Sequence, residues 1–442
     1  MEQEFSNEEV ISKQAAQKQT PDKQPAAKWD GTKIALAITA GVAVLALVGL
    51  LVWMVWSGMF KENKEEGVSS TPSATQAFDP SELTSYTGTD DEVVAALDEI
   101  VATVGDVKLT NEELQIHYWT QVYNFLGNYS SYLPYLGIDF SKPFDEQVYD
   151  AANKKSWADM FLDSALSTWS QMVALSELGK QDGFVLDDEA LQRQDALIQK
   201  QYDNVKEFEF ESLAAMLEAE MGKGATEAAY LSYLKMDFYC GEYFDNLVEI
   251  NTPSLERLEE YYEENKAAFE EAGFGKEAGK LVDVRHVLIK PEGGTLNEDG
   301  RTYTYTDAQW EAGRVAAQAV YDSWLDGDKS EDSFSALAMK HSADRTASSG
   351  GLITNVFKGE MVAEFNDWIF DAQRKAGDYT MVKTVYGYHI IYFVDTEEAW
   401  IRYGNSVYTN EVISAKMAEM AEKLPLTTAL DKVVLGNVNL SE

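Results

Sequence analysis

The 442-residue chain is 45% hydrophobic and 25% charged, with a formal net charge of −39. That balance leaves no basic stripe to replace the counterions of a nucleic acid, and it gives no long-range attraction to an anionic bilayer. The single cysteine, Cys240, rules out an intrachain disulfide, and the histidines His117, His286, His341 and His389 lie too far apart to spell a standard zinc signature, so neither metal nor cofactor is expected.

Residues 1–33 are polar, rich in Gln, Lys and Ala, and without apolar periodicity; they read as a disordered cytoplasmic tail. Ile34 to Phe60 carries no charge and exceeds the roughly 20 residues that cross a bilayer. Trp53 and Trp56 stand near its end, where interfacial indoles belong. The run is longer than the apolar core of a cleaved signal peptide, roughly 7–15 residues, and no cysteine follows it for lipid attachment. It reads as an uncleaved single-pass signal anchor. Lys13, Lys18, Lys23, Lys28 and Lys33 precede it and Lys61 and Lys64 follow it, a slight bias toward a cytoplasmic amino terminus. The large acidic part would then be extracytoplasmic. Residues 61–90, with Ser69, Ser70, Thr71, Pro72, Ser73 and Pro80, read as a spacer.

The first folded region is expected at 91–275. Val101 to Asp106 is a strand-and-turn signal. Thr110 can cap the next helix, with Glu113 as capping-box partner and His117 on the helix face. Trp157, Met160, Phe161, Leu166 and Trp169 give 155–180 a broad apolar helical face, and 187–220, 225–248 and 254–270 are further helices. Cys240 follows Phe238-Tyr239 and reads as a buried thiol with no base beside it. The aromatics Phe208, Phe210, Tyr230, Tyr233, Phe238 and Tyr239 suit either a helix-to-helix core or a groove for apolar polypeptide.

Near residue 280 the texture changes. Residues 281–289 are a strand, 292–306 a turn-rich loop, and 307–325, 331–340 and 360–373 helices; 380–384 and 388–394 are strands around Gly387. A small sheet covered by helices fits this order. A last helix, 406–424, stops before Pro425, and Leu430 to Leu440 adds a short element.

Within 281–394 an ordered set of motifs stands out. It runs from Val284-Arg285-His286-Val287-Leu288-Ile289-Lys290 through Phe334-Ser335-Ala336-Leu337-Ala338, His341-Ser342-Ala343-Asp344, Gly350-Gly351 and Lys358-Gly359-Glu360-Met361-Val362-Ala363-Glu364-Phe365. It closes with Val382-Lys383-Thr384-Val385-Tyr386-Gly387-Tyr388-His389-Ile390-Ile391. The set and its spacing resemble the parvulin family of peptidyl-prolyl cis/trans isomerases. The flanks, Val101 to Leu114 and Ser254 to Phe269, resemble extracytoplasmic foldases of that family.

The resemblance implies an α+β fold: a four-stranded antiparallel sheet covered by helices, at 276–396, inserted in a mainly helical chaperone lobe. In that arrangement 397–442 packs back on 91–275. It implies that His286 and His389 face each other from neighbouring strands, that Thr384 hydrogen-bonds within the pair, and that Asp344 lies beside the prolyl bond. Ile353, Met361, Val362 and Phe365 would be apolar walls, with Tyr386 at the pocket mouth and His341 a packing residue. Such a site needs no nucleophile or metal, because the barrier is the partial double-bond character of the amide, about 18–20 kcal/mol.

There are departures. Leu352-Ile353-Thr354-Asn355-Val356 follows the glycine pair where the family has Asp-Leu-Gly and an aromatic pair, so Thr354 is expected to need a different turn. Met381 stands where a proline is usual. The first loop holds Glu292, Glu298 and Asp299 with Arg301 alone, which argues against reading a phosphorylated residue before proline. The function expected is a membrane-anchored isomerase and foldase acting on unfolded or partly folded exported polypeptides with X-Pro bonds. The alternative is a catalytically weak or inactive holdase of the same fold. A homodimer is left open.

Overall fold

The computed structural model describes residues 83–129 and 133–440. The expected tail and anchor, and most of the spacer, lie outside the described residues. Among the described residues no helix is long and apolar enough to cross a membrane. The chain divides into two compact units, one formed by Val248–Ile413 and the other by the residues on either side of it.

In the flanking unit, α1 (Asp90–Ala96) is capped by Thr89, whose backbone N–H donates to Glu92 Oε2 at 2.8 Å. Strands β1 (Ile100–Val104) and β2 (Val107–Thr110) form a hairpin that leads into α2 (Asn111–Asn128). The capping box read from Thr110 and Glu113 is present: Thr110 N–H donates to Glu113 Oε2 at 3.0 Å. Then follow α3 (Leu133–Leu136), β3 (Val148–Asp150), β4 (Lys155–Ser156), α4 (Trp157–Gln181), α5 (Asp188–Glu207), α6 (Leu213–Met221) and α7 (Glu227–Asn251). The single helix expected over 187–220 is two. Glu209 at φ +59° interrupts it, and Ser212 Oγ caps α6 by accepting from Ala215 N–H at 3.1 Å. Cys240 is buried; its thiol donates to the Met172 carbonyl at 3.3 Å, and burial pushes it up to about 12. His117 is buried edge-on to Tyr233, with centroids 5.0 Å apart, and burial drives its imidazole down to about 4.

Unit Val248–Ile413 opens with α8 (Leu255–Glu264) and α9 (Lys266–Glu271), separated at Asn265 where one helix was expected. There follow β5 (Lys280–Ile289), a small hairpin β6 (Thr295–Leu296) and β7 (Tyr303–Thr304) within the expected loop, then α10 (Asp307–Leu325) and α11 (Glu331–His341). Strand β8 (Leu352–Val356), α12 (Ala363–Ile369), β9 (Tyr379–Thr384) and β10 (Gly387–Glu398) complete the sheet, and α13 (Ala399–Lys423) leaves it. The sheet order is β8-β5-β10-β9, with every neighbouring pair antiparallel. Helix α13 begins at Ala399, well before the expected 406, because Trp400 is needed in a cluster with Leu258, Tyr261, Tyr262 and Phe269.

Residue-by-residue patterning found three of the four strands and passed over β8, whose Thr354-Asn355 breaks the apolar alternation. Strand β8 is nevertheless paired, with Ile353 opposite Val284 and Leu352 opposite Arg285. The unusual turn falls at Asn355 (φ +58°) and not at Thr354, as asparagine tolerates the left-handed region. The Asn355 N–H is held by Asp283 Oδ1 at 2.8 Å.

Alternation along β5 and β10 sorts their side chains onto two faces. Val282, Val284, Ile391 and Phe393 pack with Phe365 and Ile369 of α12. Val287 and Ile390 pack with Trp324, Phe334 and Ala338 of α10 and α11. His286 and His389 belong to the first face.

Residues 414–440 return to the flanking unit. Strand β11 (Leu426–Thr428) pairs antiparallel with β1, giving the order β11-β1-β2. Three side chains of α2 then bind the backbone beyond it. Asn111 Nδ2 donates to Lys432 O at 2.9 Å, Gln115 Nε2 to Gly436 O at 2.8 Å, and Trp119 Nε1 to the same carbonyl at 3.1 Å.

Candidate functional site

His286 on β5 and His389 on β10 face each other with ring planes 10° apart and Nδ1 atoms 3.2 Å apart. Both rings are buried, at 4% and 5% exposure. Thr384, at the end of β9, brings its Oγ1 to 2.9 Å from His389 Nε2 and accepts the Tyr386 backbone N–H at 3.1 Å. At the other end, His286 Nε2 lies 3.2 Å from Thr346 Oγ1 and 3.4 Å from Asp344 Oδ1. Thr346 donates its hydroxyl to the same carboxylate oxygen at 2.7 Å and its backbone N–H at 2.9 Å.

The carboxylate sets the direction of the chain. An acceptor nitrogen facing Asp344 would be repelled, so His286 Nε2 carries the proton. Its Nδ1 is then the acceptor, His389 Nδ1–H donates to it, and His389 Nε2 accepts from the Thr384 hydroxyl. In this arrangement each ring nitrogen has one role, donor or acceptor. The electrostatics agree. The His286 hydrogen bond, with those of Thr346, holds the Asp344 carboxyl well below the usual carboxylate range. Burial, reinforced by the His286 ring, drives His389 down to about 3.

The backbone that carries Asp344 is tied to β5. Leu288 N–H donates to Ser342 Oγ at 3.1 Å, and Ala343 N–H to the Leu288 carbonyl at 2.8 Å. Gly351 O accepts from His286 N–H at 2.8 Å, and Gly351 sits at φ +72°. A Cβ at Gly351 would overlap the His286 carbonyl oxygen, so only glycine lets this segment lie against the strand.

The apolar residues divide by depth. Phe365 is 2% exposed and stands edge-on to both imidazoles, with centroids 5.7 Å from His286 and 5.4 Å from His389. It is a core side chain, more enclosed than the other apolar walls expected of the site. Ile353, Met361 and Val362 are half-buried and pack on the same cluster. Tyr386 is half-buried and contributes its backbone N–H to Thr384. His341 is exposed in the last turn of α11, which corrects the packing role expected of it. Thr346 was missed by sequence reasoning. The signal was an aspartate with a hydroxyl residue two positions on, a local turn in which the side chain accepts from both N–H and O–H. Arg301 is exposed, and its N–H donates to Asp299 at 2.8 Å.

Residues 273–397 match the family model of the PPIC-type PPIase domain. For this domain the parvulin-type resemblance therefore holds. No curated protein matches the chain. Among solved structures, PrsA from Bacillus subtilis is 20% identical, covering 62% of this chain and 89% of that one, with a TM-score of 0.28. The foldase protein PrsA from Streptococcus pneumoniae is 16% identical, covering 59% and 84%, with a TM-score of 0.23. Peptidyl-prolyl isomerase ESS1 from Candida albicans is 21% identical, covering 31% and 76%, with a TM-score of 0.20. At such scores these likenesses decide nothing about the PPIC-type domain or the helical unit. The domain's match and the hydrogen-bonded histidine row carry the functional argument.

Proposed function

We propose that the PPIC-type domain accelerates cis/trans isomerisation of X-Pro bonds. The observation that carries this reading is the hydrogen-bonded row Thr384–His389–His286–Thr346–Asp344, its two imidazoles buried, with the half-buried apolar side chains Ile353, Met361 and Val362 packed on the same side of the sheet. A planar amide is more polar than a twisted one, since resonance places partial charge on nitrogen and oxygen. An apolar seat for the proline ring, with water excluded, therefore disfavours the planar ground state relative to the twisted transition state. In this reading His286, Asp344, Thr384 and His389 are the catalytic set; Ile353, Met361, Val362, Phe365 and Tyr386 hold the substrate. No group is asked to form a bond.

The wider role proposed is that of a foldase for exported polypeptides, with the helical unit as chaperone lobe. The uncharged run 34–60 would be a single-pass anchor that keeps the acidic part outside the cytoplasmic membrane. The decisive experiment is an isomerisation assay on short Xaa-Pro peptides with the full chain in detergent. Acceleration that disappears in Met361→Ser/Val362→Ser supports the enzyme. Binding of unfolded chains without acceleration supports the holdase alternative, which the altered segment 352–356 and Met381 motivate.

A further inference from the structure

Helix α12 meets the candidate site through two consecutive residues. Phe365 stands edge-on to both imidazoles, and Asn366 follows about 100° further round the helix. Asn366 is polar yet only 8% exposed. Its side-chain carbonyl does not serve its own helix. Asn366 Oδ1 accepts the backbone N–H of Gly359, seven residues earlier, at 2.6 Å. Its backbone N–H closes the first turn of α12 on the Val362 carbonyl at 2.9 Å. Asn366 therefore grips the chain on both sides of Met361.

The entry to α12 needs such a tie. Val362 is its N-cap and offers no side-chain acceptor. Upstream, Phe357 N–H donates to Glu360 Oε2 at 2.9 Å, and Glu360 N–H donates to the Phe357 carbonyl at 3.2 Å. The Phe357 ring meets Phe274 with centroids 5.7 Å apart. Gly359 takes φ +99°, a conformation open to glycine, and in it the N–H reaches Asn366. The turn 357–360 is thus closed on itself and fastened to α12 by Asn366. Met361 and Val362 follow directly, half-buried against the cluster of Val282, Val284, Phe365 and Ile391. Gly359 itself is exposed. Without its acceptor the N–H would turn to water, which costs the fold little and frees the two apolar side chains.

We propose that Asn366 is a positioning residue of the proline seat, holding Met361 and Val362 at a fixed place relative to the His286–His389 pair. This role rests on the isomerase reading, in which Met361 and Val362 are substrate walls. Helix α12 is the spacer: Phe365 sets it against the imidazoles, and Asn366 sets the walls against it. A seat already ordered binds proline without first paying to order its own walls. A loosened seat binds less tightly, while the bound complex reacts as before, so the loss belongs to KM and not to kcat.

The test compares the full-length wild type with Asn366→Leu, which keeps the bulk and removes the acceptor, and Asn366→Asp, which keeps an acceptor at the same place. On a short Xaa-Pro peptide Asn366→Leu should raise KM about two- to tenfold, the span of one neutral hydrogen bond, with kcat within about twofold of wild type. Asn366→Asp should recover most of that loss. Thermal melting accompanies the kinetics, and Asn366→Ala carries the same expectation if leucine packs badly and the protein unfolds. An unaltered KM in the folded variant, a loss confined to kcat, or no recovery with aspartate would overturn the role. Dissociation constants for the same peptide, read from the methyl signals of Met361 and Val362, separate this from failure of the isomerase reading. If wild type binds the peptide without turning it over, that reading fails. Binding about two- to tenfold weaker in Asn366→Leu and recovered in Asn366→Asp would still support the positioning role, and equal affinities would reject it. Wild type that neither binds nor turns over the peptide would overturn both.

Discussion

His286 and His389 present Nδ1 to Nδ1 at 3.2 Å, so one ring must donate while the other accepts, and Asp344 at the far side of His286 decides which. The direction of the whole row follows from that one carboxylate. Asp344→Ala should leave His286 free to adopt either tautomer. Losing a hydrogen bond to a charged group is worth about 1.5–3 kcal/mol, so kcat/KM should fall roughly ten- to a hundredfold. Nitrogen chemical shifts of the imidazoles should show one tautomer for each ring in the wild type and a mixture in the variant. Unchanged shifts would mean that Asp344 does not orient the row.

The row also sets a pH dependence. His389 is held neutral down to about 3 by burial, whereas an unfolded histidine takes up its proton near 6.5. Between those values the unfolded state binds the extra proton, so stability rises with pH across that window and is fully present above it. Asp344, depressed by its His286 hydrogen bond, adds stability that is present above the unfolded carboxyl value, about 3.9, and is lost as pH falls below it. Chemical denaturation at pH 4.5 and 7.5 should show a clear loss at the lower pH. The His389 ring signal should stay that of a neutral imidazole down to about pH 3. A His389 ring that titrates near 6.5 would contradict its burial as a neutral group.

Phe365 and Met361 should separate stability from binding. Phe365 is enclosed at 2% exposure, so Phe365→Ala should cost about 3–5 kcal/mol of domain stability. Half-buried Met361 packs on the same cluster; Met361→Ala should cost less, about 1–2 kcal/mol, while raising KM for proline peptides several-fold. Denaturation curves and kinetics on the two variants check both halves. A Met361→Ala protein with unaltered KM would remove Met361 from the substrate wall.

The Gly350-Gly351 step is a backbone requirement. Gly351→Ala adds a Cβ against the His286 carbonyl at φ +72°, a strain of roughly 1–3 kcal/mol before any displacement of β5. A loss of at least about 2 kcal/mol is expected in denaturation, together with reduced turnover in the protein that remains folded. Full stability in Gly351→Ala would show that the segment can move away from the strand.

Much of the site was legible because its parts sit on short, ordered motifs. His286, Asp344, Thr384 and His389 do converge, from β5, the segment after α11, the end of β9 and β10. What stayed hidden has physical reasons. Strand β8 lacked alternation because Thr354-Asn355 forms an irregular edge pinned to Asp283. Thr346 was overlooked because its role depends on a local turn around Asp344 that brings it to the imidazole of a distant strand. The break at Glu209 could not be seen in the helical periodicity of 187–220, since a single left-handed residue leaves the apolar pattern almost unchanged. The depth of Phe365 follows from packing with α12 and the sheet, which spacing alone does not report.

The most direct test of the central claim is the rate of cis-to-trans conversion of a short Xaa-Pro peptide, read by exchange between its two proline isomer signals in the presence of the full-length protein. Unaided interconversion takes tens to hundreds of seconds. With wild type the exchange should speed up by orders of magnitude, Asp344→Ala should lose about ten- to a hundredfold of that, and His341→Ala, exposed at the end of α11, should lose none. Exchange at the unaided rate with folded wild-type protein would contradict the account.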